Sequence, residues 1–293
     1  MPQAVHLSRI LLFPIKSLDP VEVPAATVTE GGTLRFDREW AMFDGEGKVV
    51  NGKRLDRVHL VRAQYDMPGS GDAPLRVTLS SAATSAPRLA VHTLDDAGAD
   101  GIAAWLSAFL GMPIQLRRNT LHGFPDDLEA SGPTLVSSAS LHTVADWFTC
   151  SGATVGPAFG FDADEARLRF RTNLEIAATP GTGPELPAFW EDRLFAAPGE
   201  FVSFRIGAVE FTGSNPCQRC AVPGRDSRTG EATPRFSRLF SDHRKATLPA
   251  WSNPQRFNHF YRFAVNTRIT PGQAGQVLRQ GDALELAGAD AES

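Results

Sequence analysis

Apolar and polar positions along the 293-residue chain predict many short strands and a few helices. Arg9 to Lys16 is a compact apolar run suited to a buried strand. Leu34, Phe36, Trp40 and Met42 alternate, as one inward face of a strand does. Arg38 falls on that same apolar face, where a guanidinium requires an anionic partner. Gly71 to Leu94 reads as two strands around a polar loop. Ile102, Trp105, Leu106, Phe109 and Leu110 recur at helical spacing, with Asp100 placed to cap the start and Gly111 the end. "PIQLRR" follows as a short strand, and the Gly/Pro-rich residues 119–133 read as a linker. Leu141, Val144, Ala145 and Phe148 mark a second helix. Arg167 to Ile176 alternates again, predicting a strand with Arg167, Arg169, Arg171 and Asn173 on one face. Phe201 to Phe211 reads as a hairpin turning near Gly207, Phe236 to His243 as a short helix and Phe260 to Ile269 as a strand. The final "VLRQGDALEL" reads as a hairpin turning at Gly281 and Asp282. Many strands with few helices predict an α+β, mainly β chain of β-barrels with helical additions.

Composition narrows the function. The chain is 42% hydrophobic and 21% charged with a net charge of −4, which argues against a general nucleic-acid or anionic-membrane surface. No 18-residue apolar stretch is present, and the opening "MPQAVHLSRILLFPIKS" lacks the pattern of a secretory signal. Three cysteines are no disulfide framework and fit a reducing compartment. A cytoplasmic protein without membrane or nucleic-acid partners is the expectation.

Two of the cysteines sit in "NPCQRC", Asn215 to Cys220. Structural zinc needs four ligands, and only Cys150 and the widely spaced His243 and His259 remain to complete such a set. A redox dithiol belongs at a helix N-terminus, but Pro223 and Gly224 follow here. A disulfide is disfavoured by the compartment. Two small buried apolar residues would not explain the polar setting of Asn215, Gln218 and Arg219. A further reading is one thiolate serving as the only protein ligand of a soft metal whose other ligands come from a cofactor. All five readings stay open at this level.

Five stretches in order carry a resemblance: "LFPIKSL" (12–18), "LRFDREWAMFD" (34–44), "SSASLHTV" (137–144), "RFRTNLEI" (169–176) and "IGAVEFTGSNPCQRCAVPGRDSRTGE" (206–231), with "FWEDRL" between the last two. Together they resemble the MOSC family of molybdenum-cofactor-binding domains, in the arrangement of the mitochondrial amidoxime-reducing component and its bacterial relatives. The resemblance implies a MOSC-type β-barrel fold with an N-terminal β-barrel-like domain and a few packed helices. It places a MOSC-associated domain at residues 1–120 and the MOSC domain at 121–293. It also implies the molybdenum cofactor, whose pterin dithiolene and oxo groups leave one position for a cysteine, here Cys220; Cys217 is then a neighbour without a role. Lys16, Ser17, Arg38, Arg171 and Asn173 match the family's pterin-anchoring positions, and Arg219 stands beside the ligand. The chain departs from the mitochondrial members at Pro223 and Gly224, where those have a threonine pair, and at Thr172, where a proline is usual.

The implied activity is reduction of small N-hydroxylated compounds, namely hydroxylamines, amidoximes and N-hydroxylated bases. The electrons are expected from a separate iron–sulfur or flavin protein, because three cysteines cannot hold a ferredoxin-type cluster. Candidate proton donors are His243, His259, Glu191 and Asp192. The rival expectations are a non-catalytic carrier of the cofactor or of sulfur, with a persulfide at Cys220, and a barrel whose site has decayed.

Overall fold

The computed structural model describes residues 4–68, 74–81, 88, 91–127, 129–149 and 160–287. The N-terminal part supplies strands β1 (Val5–Leu12), β2 (Val21–Glu22), β3 (Ala25–Thr27), β4 (Trp40–Phe43), β5 (Val49–Val50), β6 (Val61–Asp66), β7 (Arg76–Ser81), β8 (His92–Thr93), helix α1 (Ala99–Leu110) and β9 (Gln115–Arg118). The remainder supplies β10 (Leu135–Ser137), α2 (Ser138–Thr149), α3 (Ala163–Phe170), β11 (Leu174–Ala178), β12 (Val202–Ile206), β13 (Val209–Gln218), α4 (Phe236–Ala246), β14 (Arg262–Ile269), β15 (Val277–Arg279) and β16 (Ala283–Leu286).

Seven strands close into a barrel in the order β11-β10-β14-β13-β12-β16-β1, with β1 pairing back onto β11. Closure removes the unpaired edges that an open sheet would expose. The mainly β, α+β reading is thereby borne out, with a closed barrel and helices packed on it. The N-terminal strand β1 belongs to this barrel, between β11 and β16. Leu7, Ile10, Leu174, Ile176, Phe204, Phe211 and Val265 fill it. A second core lies between the sheets β5-β4-β9 and β6-β7-β8 and helix α1, around Trp40, Met42, Val77, Leu79, Ile102 and Leu106. Outside the barrel wall, α2, α3 and α4 bury a third core of stacked rings that includes Phe148, Phe170, Phe236, Phe240 and Phe263.

Four local expectations change. Residues 167–176 are not one strand: α3 runs to Phe170, Arg171 turns left-handed at φ 54, and β11 begins at Leu174. The helix wins because Asp162 caps it, accepting from the Glu165 backbone N–H at 2.8 Å, and Asp164 and Glu165 favour its first turn. The strand expected from Leu34 onward begins only at Trp40, because Phe36 and Arg38 take left-handed φ values of 69 and 50. Helix α1 starts after Gly98, so Asp100 lies inside its first turn; Gly111 ends it as expected, at φ 74. Residues 277–286 do turn at Gly281 but form no hairpin, since β15 pairs with β3 while β16 pairs with β12 and β1. Cys150 lies outside the described residues.

Strand β13 is what delivers the cysteine pair. Its register against β14 breaks between Gly213 and Asn215 and again between Pro216 and Gln218. Such irregularities re-aim side chains and end regular pairing. They turn the chain off the barrel rim just before Cys220.

Candidate functional site

The rim opens onto a cavity of about 760 Å³. Lys16, Ser17, Arg38, Arg171, Asn173, Arg219 and Cys220 all line it, and so does Cys217. Residues distant in sequence therefore converge: the turn after β1, the turn before β4, the α3–β11 junction and the end of β13. Ser17, Arg38 and Arg171 all take left-handed φ values, of 75, 50 and 54. A non-glycine residue held there costs about 1–3 kcal/mol, and such strain gathers where surrounding structure fixes a functional geometry.

The cations are held in defined places. Arg38 Nη1 pairs with Asp37 and donates to Asn173 Oδ1 at 3.1 Å, and its Nη2 donates to the Arg171 carbonyl at 3.2 Å. Asn173 is 2% exposed, and its Nδ2 donates to the Leu11 carbonyl at 3.0 Å, so its amide locks Arg38 to the barrel strand. Arg171 donates to the Leu18 carbonyl at 2.7 Å. Arg38 and Arg171 stand over the Phe13 ring at 5.0 and 4.2 Å from its centroid. Burial, then the neighbouring Arg38 charge, pushes Arg171 down to about 10. Lys16 also sits below the usual lysine range: burial outweighs Asp126, whose carboxylate lies 2.7 Å away.

Arg167 and Arg169 are buried in ion pairs. Arg167 binds Glu175 through Nε at 2.6 Å and Nη2 at 3.0 Å. Arg169, 1% exposed, bonds to Glu165 and, at 2.9 Å, to Thr233 Oγ1. It thus ties α3 to the loop that follows the cysteines.

The two cysteines are free thiols. Arg219 Nη1 donates to Cys217 Sγ at 3.1 Å, and Nη2 donates to the Phe170 carbonyl. Cys220 borders the large cavity and also a second cleft of about 440 Å³. Among the described residues no group of three His, Cys, Asp or Glu side chains is placed to hold a metal ion. A metal at either cysteine would therefore take most of its ligands from a non-protein group.

Residues missed by the sequence reading complete the lining. Arg62, Arg262, His59, Asp19, Asp126 and Asp127 all face this space. The Nε atoms of Arg62, Arg219 and Arg262 are buried without a partner among the described residues. Burial pushes Asp19 up, against Arg62 at 3.3 Å, and burial pushes His59 down. Arg262 follows directly on "FNHFY" at the start of β14, and no pattern in that stretch marks it. The supposed linker supplies the cavity wall, with Lys16 Nζ donating to the Phe124 carbonyl at 2.8 Å and to the Pro125 carbonyl at 3.3 Å.

The four proposed proton donors are not in the cavity lining. Glu191 is fully buried and accepts from Ser140 at 2.9 Å. Asp192 binds Arg244 and Ser252. His243 stacks on Trp147 with ring centroids 5.3 Å apart. His259 Nε2 is buried without a partner among the described residues. Glu191 thus meets α2 and Asp192 meets α4, so both acids serve the packing of the outer helices. No helix in the described residues is long and apolar enough to cross a membrane.

Comparison with known proteins gives the family. Residues 4–113 match the model of the MOSC N-terminal beta barrel domain, and residues 134–285 match that of the MOSC domain. The chain is 28% identical over 249 residues to a protein named molybdenum cofactor sulfurase in Drosophila grimshawi, covering 78% of this chain and 29% of the relative. It is 28% identical over 247 residues to the protein of that name in Drosophila melanogaster, and 26% over 252 residues to that in Drosophila mojavensis. In both, the match again covers 78% of this chain and 29% of the relative. The chain thus spans under a third of the length of the curated relatives it matches. With both regions matched over most of its length, the chain belongs to the MOSC family.

Proposed function

We propose that the cavity binds the molybdenum cofactor with Cys220 as the only protein ligand to the metal, and that the protein reduces N-hydroxylated compounds. The residues fit such a group. The space is large, its lining is rich in arginine, and three buried guanidinium nitrogens there lack acceptors, as suits an anionic, oxygen-rich ligand. This convergence is the observation that carries the reading. Arg38 and Arg171 would hold the phosphate, with Lys16 and Ser17 beside them. Asn173 would act through Arg38, whose guanidinium it fixes. Arg219, already bonded to Cys217, would set the orientation of the cysteine turn.

When bound, the molybdenum–pterin group supplies a two-electron centre able to accept the oxygen of an N–OH group. The overall change is balanced: an amidoxime, two electrons and two protons give an amidine and water, with the N–O bond broken. The electrons come from a separate iron–sulfur or flavin protein. The chain's own part is to bind, orient and shield the cofactor and substrate.

The name of the curated relatives favours a second reading, in which Cys220 carries sulfur as a persulfide. One experiment separates the two. Protein made in a host with molybdenum cofactor is supplied with reduced methyl viologen and benzamidoxime. Benzamidine formation that disappears in Cys220→Ala supports the reductase. Full molybdenum loading without turnover, together with the mass of one added sulfur atom on Cys220, would replace it with the carrier.

A further inference from the structure

Cys220 has a second side. The 440 Å³ cleft that it borders is lined by Arg219, Arg225 and Arg235 and by no aspartate or glutamate. Arg225 is already engaged, 3.1 Å from Asp56 and donating to the Gly230 carbonyl at 2.9 Å. Arg235 is exposed and has no ion-pair partner among the described residues. Its backbone is nonetheless held left-handed at φ 59. One further polar group of the lining lacks a partner: the Tyr261 hydroxyl is buried and unbonded among the described residues. A buried hydroxyl or N–H without a partner costs about 1–3 kcal/mol, so this wall is fitted to something that brings acceptors.

We propose that this cleft is where substrate reaches Cys220, and that it selects compounds bearing a carboxylate or similar anionic group, with Arg235 as the charge-selecting residue. The reaction performed there rests on the reductase reading; the charge selection rests on the cleft alone. The large cavity takes the cofactor, and the cleft that shares Cys220 with it takes the small molecule.

Arg235→Gly is the variant of choice. Glycine adopts a positive φ without strain, so the charge is removed while the fold is kept. The full chain without cofactor is treated with iodoacetate or iodoacetamide, and site-resolved mass spectrometry gives the rate at each cysteine. The iodoacetate-to-iodoacetamide ratio at Cys220 is expected to fall roughly threefold in Arg235→Gly, the size of an exposed charge interaction. The ratio at Cys217, which borders the large cavity and not this cleft, is expected to hold. An unchanged ratio at Cys220, equal falls at both cysteines, or failure of either reagent to reach Cys220 would overturn the proposal. In the loaded protein, half-saturation by para-carboxybenzamidoxime should need roughly threefold more substrate in the same variant, relative to benzamidoxime. Reduction of both compounds without charge preference defeats this proposal and leaves the reductase reading standing. A shifted alkylation ratio with no reduction of either compound does the reverse.

Discussion

Asn173 shows how much of the site depends on single buried polar groups. Its Oδ1 accepts from Arg38 and its Nδ2 donates to the Leu11 carbonyl. The resemblance gave it as a pterin anchor; the structure places it in the cavity wall, with its amide bonded to its neighbours. Asn173→Ala removes the donor to the Leu11 carbonyl and one acceptor of Arg38, which keeps Asp37 and the Arg171 carbonyl, at a cost of about 1–3 kcal/mol. Urea unfolding should show that loss, and cofactor content should fall with it because Arg38 loses one of its three anchors. Stability equal to the wild type would mean that Arg38 finds another anchor. Arg62 and Arg262 were invisible in the sequence for a different reason. Their roles come from where β6 and β14 meet the rim, and neither follows from its neighbours in the chain.

At the scale of elements, legibility followed local signals. The apolar spacing of α1 and α2 and the glycine after Leu110 placed both helices well. The stretch 167–176 misled because its period-2 alternation of arginine and apolar residues is real but spans a helix, a left-handed turn and a strand. The signal that could have corrected it was Asp162 with Glu165 three residues on, a capping pattern. The final turn was legible, its pairing was not, because strand partners are set by barrel closure over long separations. Close approach matters as much as pairing. A Cβ at Gly213 would lie 1.8 Å from the Leu194 carbonyl oxygen, where the 190–194 turn crosses β13. Gly213→Ala should therefore destabilise the chain by about 2 kcal/mol or more, read as a lowered Tm. A Tm within a degree of the wild type would show that the turn yields freely.

Over the whole molecule, the site sits where the barrel rim meets the N-terminal sheets, and the barrel is completed by β1. The outer helices are keyed to the barrel by buried charge. Burial, then the neighbouring Asp192, raises Glu191 from 4.5 to about 7. The fold thus favours its neutral form. The stabilising contribution is complete below the unfolded value of 4.5 and is lost as pH rises through about 7. Wild type should lose stability between pH 5 and 8 relative to Glu191→Gln, by on the order of 3 kcal/mol. Parallel pH profiles of Tm for the two proteins would contradict this.

In the proposed site one cysteine of the pair, Cys220, holds the metal of a cofactor seated among the cavity arginines. The most direct measurement is metal and pterin analysis of the full chain purified from a host that makes molybdenum cofactor, beside Cys220→Ala and Cys217→Ala. Molybdenum and pterin near one per chain are expected in the wild type and in Cys217→Ala, with loss of molybdenum in Cys220→Ala at an unchanged Tm. Wild type without molybdenum, or Cys220→Ala with its full share, would contradict that assignment.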